Sequence, residues 1–203
     1  MDEGATRREK VHALAGLLWP AMVLGQLALF AHAARGGPAT FLPWAEGHQT
    51  LAPWLMAIVG AALVTWLGLG VALRFRFGRD DSMRRLRASL AVVASGFALA
   101  HGWLVWGRVT FGGADPRALW VMSVDTLSHT GPAWAYAFGA AALALQLEQS
   151  ARVAGEVFDF PRRDRNRLWY GLFAIVLSAL LLFVAYDGLA ALIGGQPLVG
   201  GAG

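Results

Sequence analysis

The sequence contains no cysteine and few charged residues, and each shortage excludes a class of protein. Of the 203 residues, 15% are charged and 57% are hydrophobic, whereas soluble domains average about 25% charged and roughly 45–50% apolar residues. Without cysteine, the chain cannot form disulfides, thiolate metal sites or an iron–sulfur cluster held by its own residues. Motifs of the G-x-S-x-G, H-E-x-x-H and G-x-x-x-x-G-K types are also missing. The sequence therefore favours a membrane protein that performs no chemistry on soluble substrates.

Long apolar segments predict membrane-spanning helices. About 20 apolar residues are needed to cross a hydrocarbon core of about 30 Å. Five segments approach this length, at residues 13–34, 52–73, 88–107, 131–152 and 168–193. The first is too long for the apolar core of a cleavable signal peptide. The predicted fold is all-α: an integral membrane five-helix transmembrane bundle, with residues 1–203 forming a single transmembrane domain.

The distribution of arginine and lysine predicts the orientation. Of the 17 basic residues, 14 lie in the N-terminal segment and in the loops after the second and fourth apolar segments. Short loops rich in these residues stay on the cytoplasmic side. We therefore expect a cytoplasmic N-terminus and an external C-terminus. The basic loops suit anionic lipid or an acidic soluble partner, and they form no basic face for nucleic acid.

Glycine and proline predict where the helices begin and end. Gly36, Gly37 and Pro38 are expected to end the first helix, Pro53 to lie early in the second, and Gly131-Pro132 to open the fourth. Residues 109–129 are expected to form an external loop that contains a short surface helix.

Proline also occurs inside an apolar segment. Pro20 lies within the first span, where proline removes a backbone hydrogen bond and clashes with the preceding turn. A kink is therefore expected there.

His101 is the one histidine of five that lies well inside an apolar segment. It falls about 20 Å from the inner edge of the third span, and Gln26 falls at the same depth on the first. The two side chains are expected to face each other. His32 lies about 8 Å further out, which argues against a bis-histidine haem with His101. Three roles remain open for His101: a hydrogen-bonded residue of the bundle, a quinone or proton-relay residue, or a haem ligand.

Three charged residues lie at the ends of apolar segments. Asp187 lies near the outer end of the fifth span, where we expect a solvated carboxylate or, alternatively, a proton-uptake group. Glu148 and Arg152 are four residues apart on one helical face, which predicts an ion pair at the inner boundary.

The order of several short sequence features resembles one family. The features are Arg8–Gly16, Gln26-Leu27, Ala31–Phe41 and Trp103–Trp106. Together with the length and the number of spans, they resemble the five-helix cytochrome b membrane-anchor subunit of succinate dehydrogenase and fumarate reductase, of the Bacillus-type diheme kind. The resemblance implies a non-catalytic anchor subunit in the respiratory chain and the tricarboxylic acid cycle. Such a subunit docks a flavoprotein and an iron–sulfur subunit on the cytoplasmic face and exchanges electrons with a quinone.

The chain departs from this family at the haem ligands. The family holds two b haems with four histidines, and the corresponding positions here are Leu27, Trp66, Leu104 and Gln146. Iron needs an axial donor such as imidazole, which none of these side chains supplies. We therefore expect an anchor that lacks the two family haems and holds at most one, with His101 as the metal ligand if one is present.

The cofactor that the resemblance implies is a quinone. His12 and Arg8 are the candidate quinone-binding residues near the cytoplasmic face, and His101, His32 and Gln26 are candidates for haem or quinone binding deeper in the bundle.

Two other functions remain open. One is a non-redox membrane scaffold or small transporter with the same topology, although a transporter should show broken helices or a repeat. The other is a one-haem cytochrome b that uses His101 together with His32.

Overall fold

The part of the chain that the structure describes is entirely helical. The structure is a computed structural model that describes residues 5–74, 82–108, 111, 113, 115–160 and 164–194. Within these ranges the α-helices are α1 Arg7–Arg35, α2 Pro38–Gln49, α3 Ala52–Arg74, α4 Ser82–His101, α5 Pro116–Ser128, α6 Thr130–Val157 and α7 Asp164–Gly194. A π-helical segment, Gly102–Gly107, continues α4. The prediction of an all-α fold is confirmed for these residues.

Four helices are long and apolar enough to cross a membrane. Among the described residues these are α1, α3, α4 with its π-helical continuation, and α7. The chain is therefore a multi-pass membrane protein. The predicted span 131–152 lies within α6, which is not one of these four helices.

Helix α1 lies at the centre of the packing. It contacts α3, α6 and α7 along its length, and α6 in turn contacts α4 and α7. Trp19, Leu24 and Leu143 are fully buried where these helices meet. Large apolar side chains such as Val64 on α3 and Phe183 on α7 are exposed, as expected for surfaces that face lipid rather than water.

The turn between α1 and α2 follows the predicted glycine and proline positions. Helix α1 ends at Gly36, and Gly37 has φ +71°, a left-handed conformation that glycine adopts without steric cost. Pro38 then begins α2, and the hydroxyl of Thr40 donates a hydrogen bond of 2.8 Å to the carbonyl of Ala33. The chain thereby reverses direction over very few residues.

The predicted short helix between the third and fourth predicted spans is present as α5, Pro116–Ser128. Pro116 is the first residue of α5, and the carboxylate of Asp115 caps it by accepting 3.0 Å from the amide of Arg117. The expected starts of α3 at Pro53 and of α6 at Gly131-Pro132 are also confirmed.

Two features of the chain differ from the predictions or go beyond them. The segment between the first two spans was treated as a loop, but it forms α2. Its aromatic residues Phe41 and Trp44 pack against Phe30 of α1, and this packing stabilises a helix that its sequence pattern did not indicate. Pro20 lies buried inside α1, and the kink remains a prediction.

Candidate functional site

Two cavities lie at opposite ends of α1. The first, which we call the His12 cavity, has a volume of about 150 Å³ and lies among α1, α3, α4 and α6. The second, the His101 cavity, has a volume of about 200 Å³ and lies among α1, α3, α4 and the π-helical segment. Gln26 lines the second cavity and follows His12 by 14 residues, about 21 Å along the helix axis. The cavities are therefore separate sites.

Aromatic stacking forms one wall of the His12 cavity. The His12 and Trp66 rings are stacked, with centroids 6.0 Å apart and planes at 19°. Trp19 packs against the other part of Trp66, with ring centroids 5.6 Å apart. A Cβ atom at Gly16 would lie 2.7 Å from Nε1 of Trp66, so the absence of a side chain there allows the indole to lie against α1. His12 and Trp66 are thus held in a defined arrangement.

Helix α6 supplies polar groups to the same cavity. Gln146 and Ser150 are both buried, and Nε2 of Gln146 donates 3.1 Å to the hydroxyl of Ser150. Gln149 also lines the cavity. Amide and hydroxyl groups inside an apolar bundle are costly unless they are hydrogen-bonded, and in membrane helices they commonly mark functional positions. The cavity therefore combines an aromatic wall with neutral hydrogen-bonding groups.

The structure places His12 and Arg8, the two candidate quinone-binding residues near the N-terminus, in different environments. His12 is half-buried and lines the cavity, whereas Arg8, one helical turn earlier, is exposed and does not line it. The predicted ion pair between Glu148 and Arg152 is confirmed, and it lies on α6 close to the cavity. His12, rather than Arg8, is the inner candidate that a bound molecule would contact.

His101 is buried in an aromatic environment. Its Nδ1 is 3.2 Å from the hydroxyl of Tyr136, and the Phe97 ring stacks on the imidazole with centroids 5.8 Å apart. Phe30 contacts it edge-on at 6.2 Å. Gln26 and His101 line the same cavity, which agrees with their matching predicted depths.

His32 does not join His101. It is exposed on α1 and lines neither cavity. Within the described ranges, no group of three or more histidine, aspartate and glutamate side chains is arranged to hold a metal ion. His32 is thus exposed at the surface of the bundle, whereas His101 is buried inside it.

The four positions that correspond to the family's haem ligands do not fit two haems. Trp66 and Gln146 line the His12 cavity together. Leu27 and Leu104 line two smaller cavities, of about 10 and 80 Å³. Pockets for drug-sized ligands are roughly 300–1,000 Å³, and the indole of Trp66 already fills space beside α1. None of the four side chains carries an imidazole, and none of these cavities has the size of a porphyrin.

Asp187 requires a correction. We expected a solvated carboxylate, but Asp187 is only 7% exposed, and its Oδ2 lies 3.5 Å from Nη1 of Arg35. The reason is the close packing of α7 on α1, where Gly188 lies directly against Ala31. This packing removes the carboxylate from solvent and places it beside the arginine at the end of α1.

The sequence interpretation missed several residues at these sites. Tyr136 and Ser150 were not singled out, because tyrosine and serine are common in membrane helices, and Trp106 was named only as part of the family resemblance. The one available signal for Ser150 was its position four residues after Gln146, on the same face of a helix.

These observations define a helical multi-pass membrane protein with two separate internal cavities. No protein-family model matches the chain, and comparisons with the curated proteins and with the solved structures return no significant match. A function must therefore be argued from the residues and the geometry of this chain.

Proposed function

We propose that the chain is the membrane-anchor subunit of a complex like succinate dehydrogenase or fumarate reductase. It crosses the bacterial cytoplasmic membrane five times with its N-terminus in the cytoplasm, and it docks a flavoprotein and an iron–sulfur subunit there. It supports electron transfer to or from a quinone without the two haems of the diheme family, and it is not catalytic by itself. The order of sequence features from Arg8 to Trp106 supports the family, and the arginine-rich segments support the orientation.

The packing of α6 supports the fifth span. This helix has 28 residues, about 42 Å at the helical rise, which exceeds the thickness of the hydrocarbon core. Its polar residues Gln146 and Ser150 are buried against neighbouring helices. Polar side chains that face the interior of a bundle are tolerated in a membrane, so α6 is compatible with a spanning helix.

The His12 cavity is the observation that carries the proposal. A quinone has a flat ring and two carbonyl oxygens, which require an aromatic surface and hydrogen-bond donors. The cavity offers the ring of Trp66 together with the side chains of His12, Gln146 and Ser150. It lies near the N-terminal end of α1, on the side to which the basic segments assign the soluble subunits. Electrons from an iron–sulfur cluster would need no haem to reach a quinone at this end.

Co-purification tests the proposal most directly. The full-length chain, affinity-tagged at its chromosomal locus, is purified from native membranes in mild detergent, and bound proteins are identified by mass spectrometry. We expect one flavoprotein and one iron–sulfur subunit in equal amounts with the chain, and succinate- or fumarate-linked quinone activity in the preparation. A chain that purifies alone from membranes where both subunits are present would overturn the proposal and favour a non-redox scaffold or transporter.

A histidine pair tests the site. Replacing His12 by Leu removes the ring that lines the cavity, and we expect at least a tenfold loss of quinone-linked activity with unchanged subunit assembly. His32→Leu is the matched control, because His32 is an exposed histidine on the same helix and lines neither cavity. Equal activity of both variants would contradict the assignment of the His12 cavity.

An absorption spectrum tests the haem content. The dithionite-reduced complex is expected to show no pair of b-type α bands, because the four ligand positions are Leu27, Trp66, Leu104 and Gln146. Two haems per chain would contradict the proposal. One haem that is lost in His101→Leu would instead support the one-haem cytochrome b.

A further inference from the structure

We infer that the His101 cavity is a separate binding site for a neutral, membrane-soluble carbonyl compound, whose carbonyl oxygen is recognised by hydrogen-bond donors on α1 and on the π-helical segment. This inference goes beyond the proposed function and does not depend on it, because the cavity shares no lining residue with the His12 cavity. It rests on the side to which the cavity opens, on the polarity of the residues that line it and on the π-helical segment that forms part of its wall.

The cavity opens toward the lipid-facing surface of the bundle. Two residues of its wall, Leu99 and Trp103, are 62% and 60% exposed, whereas its inner residues Leu63 and His101 are buried. A molecule dissolved in the bilayer can therefore enter from the side, between α3 and α4, without passing through water.

The lining of the cavity selects a neutral ligand. It contains no aspartate, glutamate, lysine or arginine, and its polar side chains are Gln26, His101 and the indoles of Trp103 and Trp106. A charged ligand would lose its hydration without gaining a counter-ion, which costs several kcal/mol in such a medium. A neutral molecule with a hydrogen-bonding group avoids that cost.

Neutral hydrogen-bonding groups in the lining suit a ligand oxygen. The amide of Gln26 and the indole of Trp103 both line the cavity. Amide and indole N–H groups are hydrogen-bond donors. A ligand with a carbonyl oxygen supplies the acceptor that such donors need in an apolar medium.

The π-helical backbone sets the positions of these groups. The segment Gly102–Gly107 directly follows His101 and supplies Gly102, Trp103 and Trp106 to the cavity. A π-helix is rare and is found frequently at functional sites, because its wider turn changes which side chains share a face. Here it places Trp103 and Trp106 in the lining of the same cavity as His101.

The volume of the cavity limits the part of the ligand that it holds. A volume of about 200 Å³ admits a single ring or an ester group, with an apolar tail extending into lipid. Two membrane components offer this chemistry: a quinone ring and the ester carbonyl of a glycerolipid.

A glycine pair provides the first test. The chain in lipid nanodiscs is titrated with tritiated decylubiquinone and, separately, with tritiated dioleoylglycerol. Gly60→Leu fills the cavity from α3, where an added Cβ meets no atom within 4 Å, so the helix itself is undisturbed. Gly68→Leu is the matched control on the same helix, with equally open space and no contact with the cavity.

The expected result is saturable binding of one probe that weakens at least tenfold in Gly60→Leu and stays unchanged in Gly68→Leu. Binding of decylubiquinone alone identifies a quinone as the occupant, and binding of dioleoylglycerol alone identifies a glycerolipid. A quinone held at the His12 cavity remains bound in Gly60→Leu, so the two sites are distinguished. Absence of saturable binding of both probes, or equal binding by both variants, would overturn the inference.

A glutamine pair provides the second test. Gln26→Leu keeps a side chain of similar size and removes the amide that lines the cavity, and we expect binding to weaken about tenfold. Gln49→Leu is the matched control, because Gln49 is also partly buried but does not line the cavity. Equal affinity of the two variants would refute the role of Gln26.

Discussion

The imidazole of His12 stacks on the indole of Trp66, with ring centroids 6.0 Å apart. In the family that the sequence resembles, the position of Trp66 carries a haem ligand, and here it carries a ring too large to leave that space open. The same indole lies against Gly16 of α1. The close contact between α1 and Trp66 of α3 therefore depends on the absence of a side chain at Gly16.

A larger side chain at Gly16 should destabilise the bundle. In Gly16→Leu a side chain would collide with Trp66, and overpacking of this kind costs roughly 1–3 kcal/mol. Gly25→Leu is the matched control, because an added Cβ there meets no atom within 4 Å. We expect a lower unfolding temperature in detergent for Gly16→Leu alone. Equal unfolding temperatures for the two variants would show that Trp66 is free to move away.

The turn between α1 and α2 gives a second prediction. Gly37 has φ +71° and ψ −166°, a backbone region that is essentially restricted to glycine and costs other residues roughly 1–3 kcal/mol. Gly37→Ala should therefore lower the free energy of unfolding by about that amount. Gly47→Ala, inside α2, should raise it slightly, because alanine favours a helix over glycine by roughly 0.5–1 kcal/mol. Denaturation of the purified variants measures both changes in the free energy of unfolding. We expect them to have opposite signs, and changes of the same sign would contradict the assigned turn.

The ion pair between Arg35 and Asp187 gives a third prediction. Breaking a fully buried pair costs roughly 3–5 kcal/mol, but the Arg35 side chain is 35% exposed, so we expect about 1–3 kcal/mol for Asp187→Asn. Glu148→Gln is the comparison, since its pair with Arg152 is of the i,i+4 helix type, which contributes about 0.3–0.5 kcal/mol. Thermal unfolding of both variants measures the difference. A smaller effect for Asp187→Asn would show that the carboxylate is solvated after all.

The hydrogen bond between His101 and Tyr136 gives a fourth prediction. A double-mutant cycle with Tyr136→Phe, His101→Leu and the double variant isolates the interaction between the two side chains. We expect a coupling energy of about 0.5–1.5 kcal/mol, the net value of a typical hydrogen bond. Strict additivity of the two single substitutions would indicate that the pair contributes nothing to stability.

Local signals in the sequence predicted the helices better than the contacts between them. Pro38, Asp115-Pro116 and Gly131-Pro132 mark helix ends because their backbone preferences act over one or two residues. Helix α2 was missed because Phe41 and Trp44 are stabilised by packing against Phe30, a partner that only the tertiary structure supplies.

At the candidate sites, too, the sequence predicted local positions better than contacts between helices. Matching depth along two helices was enough to place Gln26 and His101 at one cavity, because helical rise is regular. Burial of Asp187 depends on which face of α7 meets α1, and a nearly uniform apolar sequence does not specify that face. Tyr136 is 35 residues from His101, so no local pattern could have paired them.

The π-helical segment Gly102–Gly107 also affects the direction in which the residues after it face. A π-turn closes its hydrogen bonds over one residue more than an α-turn, and each residue of an α-helix turns the chain by about 100°. The side chains that follow His101 therefore point in directions different from those that a continuous α-helix would give. Deleting one residue from this segment should restore regular α-helical phase and rotate everything after it relative to α3.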